Sequence, residues 1–197
     1  MTNAIWREHA RTSGRRAVIS PNISEEEFDR VQKAQDEQLR VLLMPHVRSV
    51  SSILDYGCGP GRFGPLLRDL ALREADIVGF DPCRAYLRMA PENKAIYVDS
   101  LPVNRFGCVF VWLVLGGVEW PEAKRCADEI VSCLEPDGVL IFGEHVGEAP
   151  LGAWWKWRTG KVYRDLFAGR DVTLEKLGEV PQIKNMVTVF TGRRSAS

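Results

Sequence analysis

"LDYGCGPGRFG", Leu54–Gly64, carries two overlapping glycine patterns that ask for different ligands. Gly59, Gly61 and Gly64 spell G-x-G-x-x-G, the fingerprint of a turn that cradles a dinucleotide pyrophosphate. Asp55, Gly57, Gly59 and Gly61 spell D-x-G-x-G-x-G, which points to a nucleoside that carries an amino acid. Both readings need a strand, a tight turn and a helix in that order. Glycine lets the backbone approach a ligand at unusual φ values, and the helix N-terminus offers free N–H groups.

Charge separates the two. Asp81 lies 81 − 61 = 20 residues beyond Gly61, at the end of the second apolar run "ADIVGFD", where it can bond ribose hydroxyls in either reading. Asp55 suits only one of them. A pyrophosphate at the first glycines would be repelled by this fixed carboxylate, by roughly a few kcal/mol at an effective dielectric near 20. A ligand ammonium group would be attracted. At 197 residues the chain also has nothing obvious left over for a separate substrate domain.

Outward from the turn, strand-like and helix-like runs alternate. "SSILDYG" reads as a short buried strand and "RFGPLLRDLALRE" as a helix, with Pro65 in its first turn. "PCRAYLRMA" is a short helix, "AIYVDS" a third strand and "GCVFVWLVL" a fourth, a continuous apolar run of the kind buried on both faces. "PEAKRCADEIVSCLEP" is a helix beginning near Pro121, and "GVLIFGEH" is a fifth strand. The alternation predicts a parallel sheet with helices on both faces. "DVTLEKLGEV" and "MVTVFTGRR", with no helix between them, predict an antiparallel last pair. Upstream, Ser24 and Glu27 form a capping box ahead of a long helix, which Pro45 is expected to end.

The string "ILDYGCGPGRFGPLL" resembles the first motif of the class I S-adenosylmethionine-dependent methyltransferases. The resemblance continues in order through "VGFDP", "VDSLP", "FGCVFVWLVLGGVEW" and "LEPDGVLIFGEH", over 53–145. It implies a Rossmann-like α/β fold: a mostly parallel, doubly wound sheet of seven strands with an antiparallel last pair. It also implies S-adenosyl-L-methionine as methyl donor and S-adenosyl-L-homocysteine as product. Carried over by motif, Asp55 and the Gly57–Cys58–Gly59–Pro60–Gly61 loop would surround the methionine part, and Asp81 would bond the ribose. Pro82 and Cys83 would lie beside the adenine. Asp99, with Ser100, matches the position that bonds the adenine amino group, and Trp112 and Leu113 would lie alongside the cofactor. Residues 1–48 are expected to form a lid segment and helix, and 49–197 the methyltransferase domain, within one compact unit.

The chain departs from the family pattern in the fourth-strand motif. Gly107 stands where an acid is common, and Gly116–Gly117 where a histidine is common in the turn that faces the methyl group. No base remains there unless Glu119 reaches inward. Methyl transfer from a sulfonium is an in-line displacement, so alignment supplies much of the barrier reduction, and a base is needed only for certain acceptors. Glu144 and His145, at the end of the fifth strand, are the expected catalytic candidates, His145 with a near-neutral intrinsic pKa. His145 fixing the local chain by a backbone hydrogen bond is the competing expectation. His9 is expected at the surface or in a lid, and His46 as a partner for a helix C-terminus.

In the resembling family the segment before the last strand pair often helps to build the acceptor pocket. Here that segment is "PLGAWWKWRTGKVYRDLF". Trp154, Trp155 and Trp157 offer flat surfaces, and Lys156, Arg158, Lys161 and Arg164 offer positive charge. This mixture suits a small ring-bearing acceptor with a phosphate or carboxylate, an amphipathic helix covering the sheet, or a homodimer contact.

Lys+Arg 26 against Asp+Glu 26 gives no global field toward nucleic acid or an anionic membrane. The basic cluster Arg7, Arg11, Arg15 and Arg16 reads either as a solvated terminus or as an anion-contacting lid. Five scattered cysteines without a C-x-x-C pair indicate neither a disulfide framework nor a zinc site and fit a reducing cytoplasm. The first residues lack the apolar region of a secretory signal, and no apolar run is long enough for a membrane span. The expected function is methyl transfer to oxygen or nitrogen of a small-molecule acceptor. The alternatives are a non-catalytic S-adenosylmethionine-binding scaffold, an NAD-dependent oxidoreductase and an RNA methyltransferase.

Overall fold

The computed structural model describes residues 2–148 and 155–195. Helix α1 (Thr2–Ser13) and a 3-10 turn (Gly14–Val18) lead into α2 (Glu25–Val47). Ser24 caps α2, its hydroxyl accepting from the Glu27 N–H at 3.1 Å, while Glu25, Glu26 and Glu27 occupy the positive end of the helix dipole. Pro45 does not end the helix, which runs on to Val47. Proline leaves the carbonyl of Val41 without its helical donor. Val41 is 73% exposed, so that carbonyl falls on the solvent side, where water serves it.

The strands β1 (Ser52–Tyr56), β2 (Asp76–Phe80), β3 (Ile96–Val98), β4 (Phe106–Trp112), β5 (Leu134–Glu144), β6 (Val172–Gln182) and β7 (Asn185–Arg194) form one seven-stranded sheet. Its order is β3-β2-β1-β4-β5-β7-β6, parallel through β5, with β7 antiparallel to both β5 and β6. The expected doubly wound sheet with its reversed last pair is therefore present. β4 shows why its sequence is apolar throughout. Cys108, Phe110 and Trp112 enter the core on the face covered by α2 and α3 (Gly64–Leu70). Val109 and Val111 enter the opposite core, under α5 (Trp120–Ser132) and α6 (Gly160–Ala168). Each face buries every second side chain, so neither tolerates a polar residue.

Two connections carry little helix, as the short run "PCRAYLRMA" and the direct step from the third strand to the fourth imply. The helix after β2, α4 (Arg84–Leu87), is a single turn, and residues 99–105 between β3 and β4 carry no helix. Parallel strands are more usually joined by a helical crossover that covers the sheet. The β4 run also stops earlier than its hydrophobicity suggests. Leu113 adopts φ +55, and a 3-10 turn (Leu115–Gly117) follows.

The strand order reverses beside β1, where β2 and β4 leave in opposite directions. Open α/β sheets bind ligands in the crevice at such a switch point. The register brings Asp55 level with Gly79 and Phe110, so the ends of β1, β2 and β4 share that crevice. The Ser24 cap gives a direct test of α2: Ser24→Ala should lower stability by about 1 kcal/mol, read as a shift of the urea midpoint at unchanged m-value.

Candidate functional site

The crevice is a cavity of about 380 Å³. Its floor is the loop after β1. Gly57 and Gly59 adopt φ +73 and +55, conformations that favour glycine, and the N–H groups of Gly57 and Cys58 both donate to the Phe80 carbonyl. A Cβ on Gly57 would lie 2.5 Å from Val114 Cγ2, so this loop and the turn after β4 stand directly against each other.

Asp81 ties the loop to β2. Its Oδ2 accepts from the Gly59 N–H at 2.9 Å and its Oδ1 from the Cys83 N–H at 2.7 Å. Both bonds tie the chain around Asp81, and each oxygen keeps a further lone pair for a hydroxyl donor. Burial raises the Asp81 carboxyl to about 6, against the lowering effect of those two bonds.

Asp55 is 3% exposed, and its Oδ2 has no hydrogen-bond partner among the described residues. Burial pushes its pKa up to about 7; Arg62 opposes that shift and Asp81 adds to it. Arg62 is held by α2, donating from Nη1 to Gln32 Oε1 at 2.8 Å and Gln35 Oε1 at 2.7 Å, with its guanidinium over the Phe63 ring. Two more buried polar atoms in the wall, Tyr86 Oη and Trp112 Nε1, are also without partners among the described residues. Buried polar groups are normally paired, so three orphans facing one cavity indicate a ligand with polar groups of its own. A cationic amino group opposite Asp55 would compensate the most costly of them.

Of the predicted cofactor residues, Asp55, Gly57, Cys58, Gly59, Asp81, Pro82, Trp112 and Leu113 line the cavity. Pro60, Gly61, Asp99 and Ser100 do not. Gly61 turns away to pack against Tyr97, and the Asp99 carboxylate pairs with the Arg84 guanidinium. Trp155, which the sequence offered for the acceptor side, lines it too, and so do Trp6, Val18, Tyr56, Arg62 and Tyr86, which the sequence did not single out. Arg62 lies inside the glycine motif and Tyr86 in the helix after Asp81, so both were within reach of motif reading. Trp6 and Val18 arrive only through the packing of the N-terminal segment.

The cavity continues on the α5 side, where the missing crossover helix leaves the sheet open. Tyr56 donates to Glu129 Oε2 at 2.5 Å, and Arg125 joins Glu129 to Glu122. Burial, the largest cause, moves the Tyr56 hydroxyl far above its ordinary pKa.

The two catalytic candidates do not line the cavity. Glu144 is fully buried, its Oε1 accepting from the N–H groups of Leu115 at 2.6 Å and Gly116 at 3.1 Å. Burial raises its pKa to about 7. His145 stacks on Trp157 at 4.8 Å, and its Nδ1 meets the Met186 carbonyl at 3.0 Å. Burial lowers the His145 pKa. The Nδ1 contact is the backbone hydrogen bond of the competing expectation. Glu119 points outward and pairs with Lys156 at 3.3 Å.

Two further cations of the tryptophan segment are also occupied. Arg158 donates to the Leu115 and Val118 carbonyls, and Lys161 pairs with Asp165. Trp154 lies outside the described residues. In the N-terminal segment Arg11 pairs with Glu8, and Arg15 and Arg16 with Glu25, so these three are engaged within the segment and by α2. Trp6 and His9 meet edge to face at 5.6 Å. Burial and nearby Arg193 lower the His46 pKa, opposite to the shift a helix C-terminus would produce. Among the described residues, no helix is long and apolar enough to cross a membrane.

A family model described as a methyltransferase domain matches residues 26–170. No curated protein matches the sequence. Among solved structures, magnesium protoporphyrin IX methyltransferase from Synechocystis PCC 6803, with bound SAM, is similar at 15% identity. That match covers 99% of this chain and 98% of the other, with a TM-score of 0.76. An O-methyltransferase from a trans-AT PKS multienzyme of Brevibacillus brevis, in complex with S-adenosyl-L-homocysteine, is similar at 14% identity over 92% of this chain and 79% of the other, with a TM-score of 0.68. The [4+2]-cyclase SpnF is similar at 16% identity over 82% of this chain and 81% of the other, with a TM-score of 0.65. At these identities the likeness shows the fold, and the cyclase marks how little the fold alone says about chemistry.

The buried carboxylates make a prediction about stability. An acid whose pKa is higher in the native state than in the unfolded chain destabilises the fold above that native pKa, and the penalty is relieved as pH falls toward the unfolded value near 4. With no ligand added, Asp55→Asn should stabilise the protein, and the gain should grow as pH rises from about 5.5 to about 8. Comparing the two proteins cancels the opposed titration of His46 and His145. A gain that shrinks over that interval in urea unfolding would contradict the burial argument.

Proposed function

This chain belongs to the methyltransferase-domain family, and from that premise we propose that it takes S-adenosyl-L-methionine as donor and methylates oxygen or nitrogen of a small-molecule acceptor. One observation carries the donor reading: the Asp55 carboxylate oxygen, buried without a partner in the same cavity as Asp81 and the Gly57–Gly59 loop. S-adenosylmethionine supplies an electrophilic methyl group on a sulfonium, with S-adenosyl-L-homocysteine as the product.

Asp55 would bind the amino group of the donor and so remain charged on binding. Gly57, Cys58 and Gly59 present backbone to the amino-acid end. Asp81, already positioned by Gly59 and Cys83, keeps lone pairs for the ribose hydroxyls. Pro82, Cys83 and Leu101 offer the base an apolar surface, so the adenine end does not depend on Asp99 or Ser100. Trp112 and Leu113 close the opposite side. The strained φ of Leu113 supports a site there, because such backbone persists only where its surroundings over-determine it.

On the acceptor side, alignment within the cavity carries the reaction. Glu144 and His145 are engaged elsewhere, which favours an acceptor that needs no strong base. The cavity volume suits a small molecule. The balanced charge supports the same class over nucleic acid. Trp6 and Val18 in the wall support reading the N-terminal 1–48 segment as the lid side of the site. Five unpaired, buried cysteines agree with a reducing cytoplasm.

Calorimetric titration tests the donor reading. S-adenosylhomocysteine should bind the wild-type protein, with NAD showing no heat. Asp55→Asn should weaken the interaction about 10-fold or more, the usual scale for losing a charge-assisted hydrogen bond. Binding of NAD, or an unchanged affinity in the variant, would refute the reading.

A further inference from the structure

Gly116 and Gly117 stand where the sequence shows no candidate side chain, yet the cavity wall there is not bare. A Cβ built on Gly116 would lie 1.8 Å from Trp155 Nε1 and 2.4 Å from Trp155 Cε2, and one on Gly117 would lie 3.0 Å from Trp6 Cζ2 and 3.2 Å from Trp155 Cζ3. The indole therefore lies across both glycines, in the space that side chains of this turn would need. It reaches there from a segment some forty residues away in the chain and lines the same cavity as Asp55 and Gly57.

The turn and the indole are clamped together from behind. Glu144 accepts from the N–H groups of Leu115 and Gly116. Lys156 donates its backbone N–H to the Gly116 carbonyl at 2.7 Å. Arg158 donates to the Leu115 carbonyl at 2.6 Å and the Val118 carbonyl at 2.8 Å. Two residues that follow Trp155 in the chain, Lys156 and Arg158, are thus fixed by bonds to one short turn.

We propose that Trp155 is the wall facing the transferable methyl group, and that Glu144 is a positioning residue that holds the turn on which the indole rests. The proposal rests on the donor reading above. Its geometric basis is the contact between Val114 and Gly57, which sets this turn directly opposite the loop that would hold the amino-acid end of the donor. The sulfonium would lie between that end and the ribose at Asp81, in the cavity that the indole also lines. A tryptophan ring attracts a cation, so it should favour the positively charged donor over its neutral product, and it neither takes nor gives a proton at neutral pH. The wall would thus assist discharge of the spent product while leaving the acceptor to bring its own nucleophile.

The test is the ratio of affinities for S-adenosylmethionine and S-adenosylhomocysteine, measured by calorimetry near pH 8. Trp155→Ala should weaken S-adenosylmethionine about 5-fold, the size of one cation–ring contact, and S-adenosylhomocysteine less than about 2-fold. Gly116→Ala, which displaces the indole without removing it, should shift the ratio in the same direction. Glu144→Ala should reproduce that selective loss, and Glu144→Gln, which keeps an acceptor oxygen for the two N–H groups, should restore the wild-type ratio. Equal weakening of both ligands by Trp155→Ala, or no change, would overturn the role of the indole. A selective loss that persists in Glu144→Gln would mean that Glu144 acts through its charge and would overturn its positioning role. Wild-type protein that binds neither ligand would refute the donor reading itself, and with it this proposal.

Discussion

Two carboxylates buried side by side at the reversal point of the sheet are the constraint around which this molecule is arranged. Both are lifted above the ordinary carboxylate range mainly by burial, and Asp81 adds to the upward shift of Asp55. Asp81 is compensated internally, by the N–H groups of Gly59 and Cys83. Asp55 is not, apart from the more distant charge of Arg62. A carboxylate oxygen buried without a partner among the described residues costs stability that a bound donor group would restore.

The rest of the fold serves to hold that arrangement. β4, buried on both faces, keeps β1 and β5 in register and delivers Trp112 and the strained Leu113 to the cavity. α2 carries Gln32 and Gln35, which orient Arg62, and Gln35 also donates to the Pro181 carbonyl and Gln182 on the far edge strand. The single long helix therefore joins the glycine loop to the antiparallel end of the sheet. Glu144 and Arg158 do the same for the turn after β4.

The two families of expectation fared differently for a physical reason. Glycine spacing, alternating strands and a cap at Ser24 are local properties, set by φ preferences and by neighbours within a few residues. The roles assigned to Glu144, His145, Asp99 and the basic residues near Trp155 depended on which way a side chain turns. Glu144 turned toward two backbone N–H groups, His145 toward Trp157, and Asp99 toward Arg84. A carboxylate or imidazole at a strand end is free, by sequence, to serve a ligand or to satisfy the chain, and buried backbone donors decide between them.

From the sequence alone came the doubly wound sheet, its reversed last pair, and the choice of Asp55 as the charge that tells an amino-acid-bearing nucleoside from a dinucleotide. Tertiary structure decided the composition of the cavity wall. Trp6 from α1, Tyr86 from α4, Arg62 held by α2 and Trp155 from the far segment meet there because four separate packings converge on one crevice. Local spacing encodes backbone conformation, since glycine and proline act where they stand. Which distant rings share a surface is set only when the sheet and its covering helices have closed, and no periodicity in the chain records it.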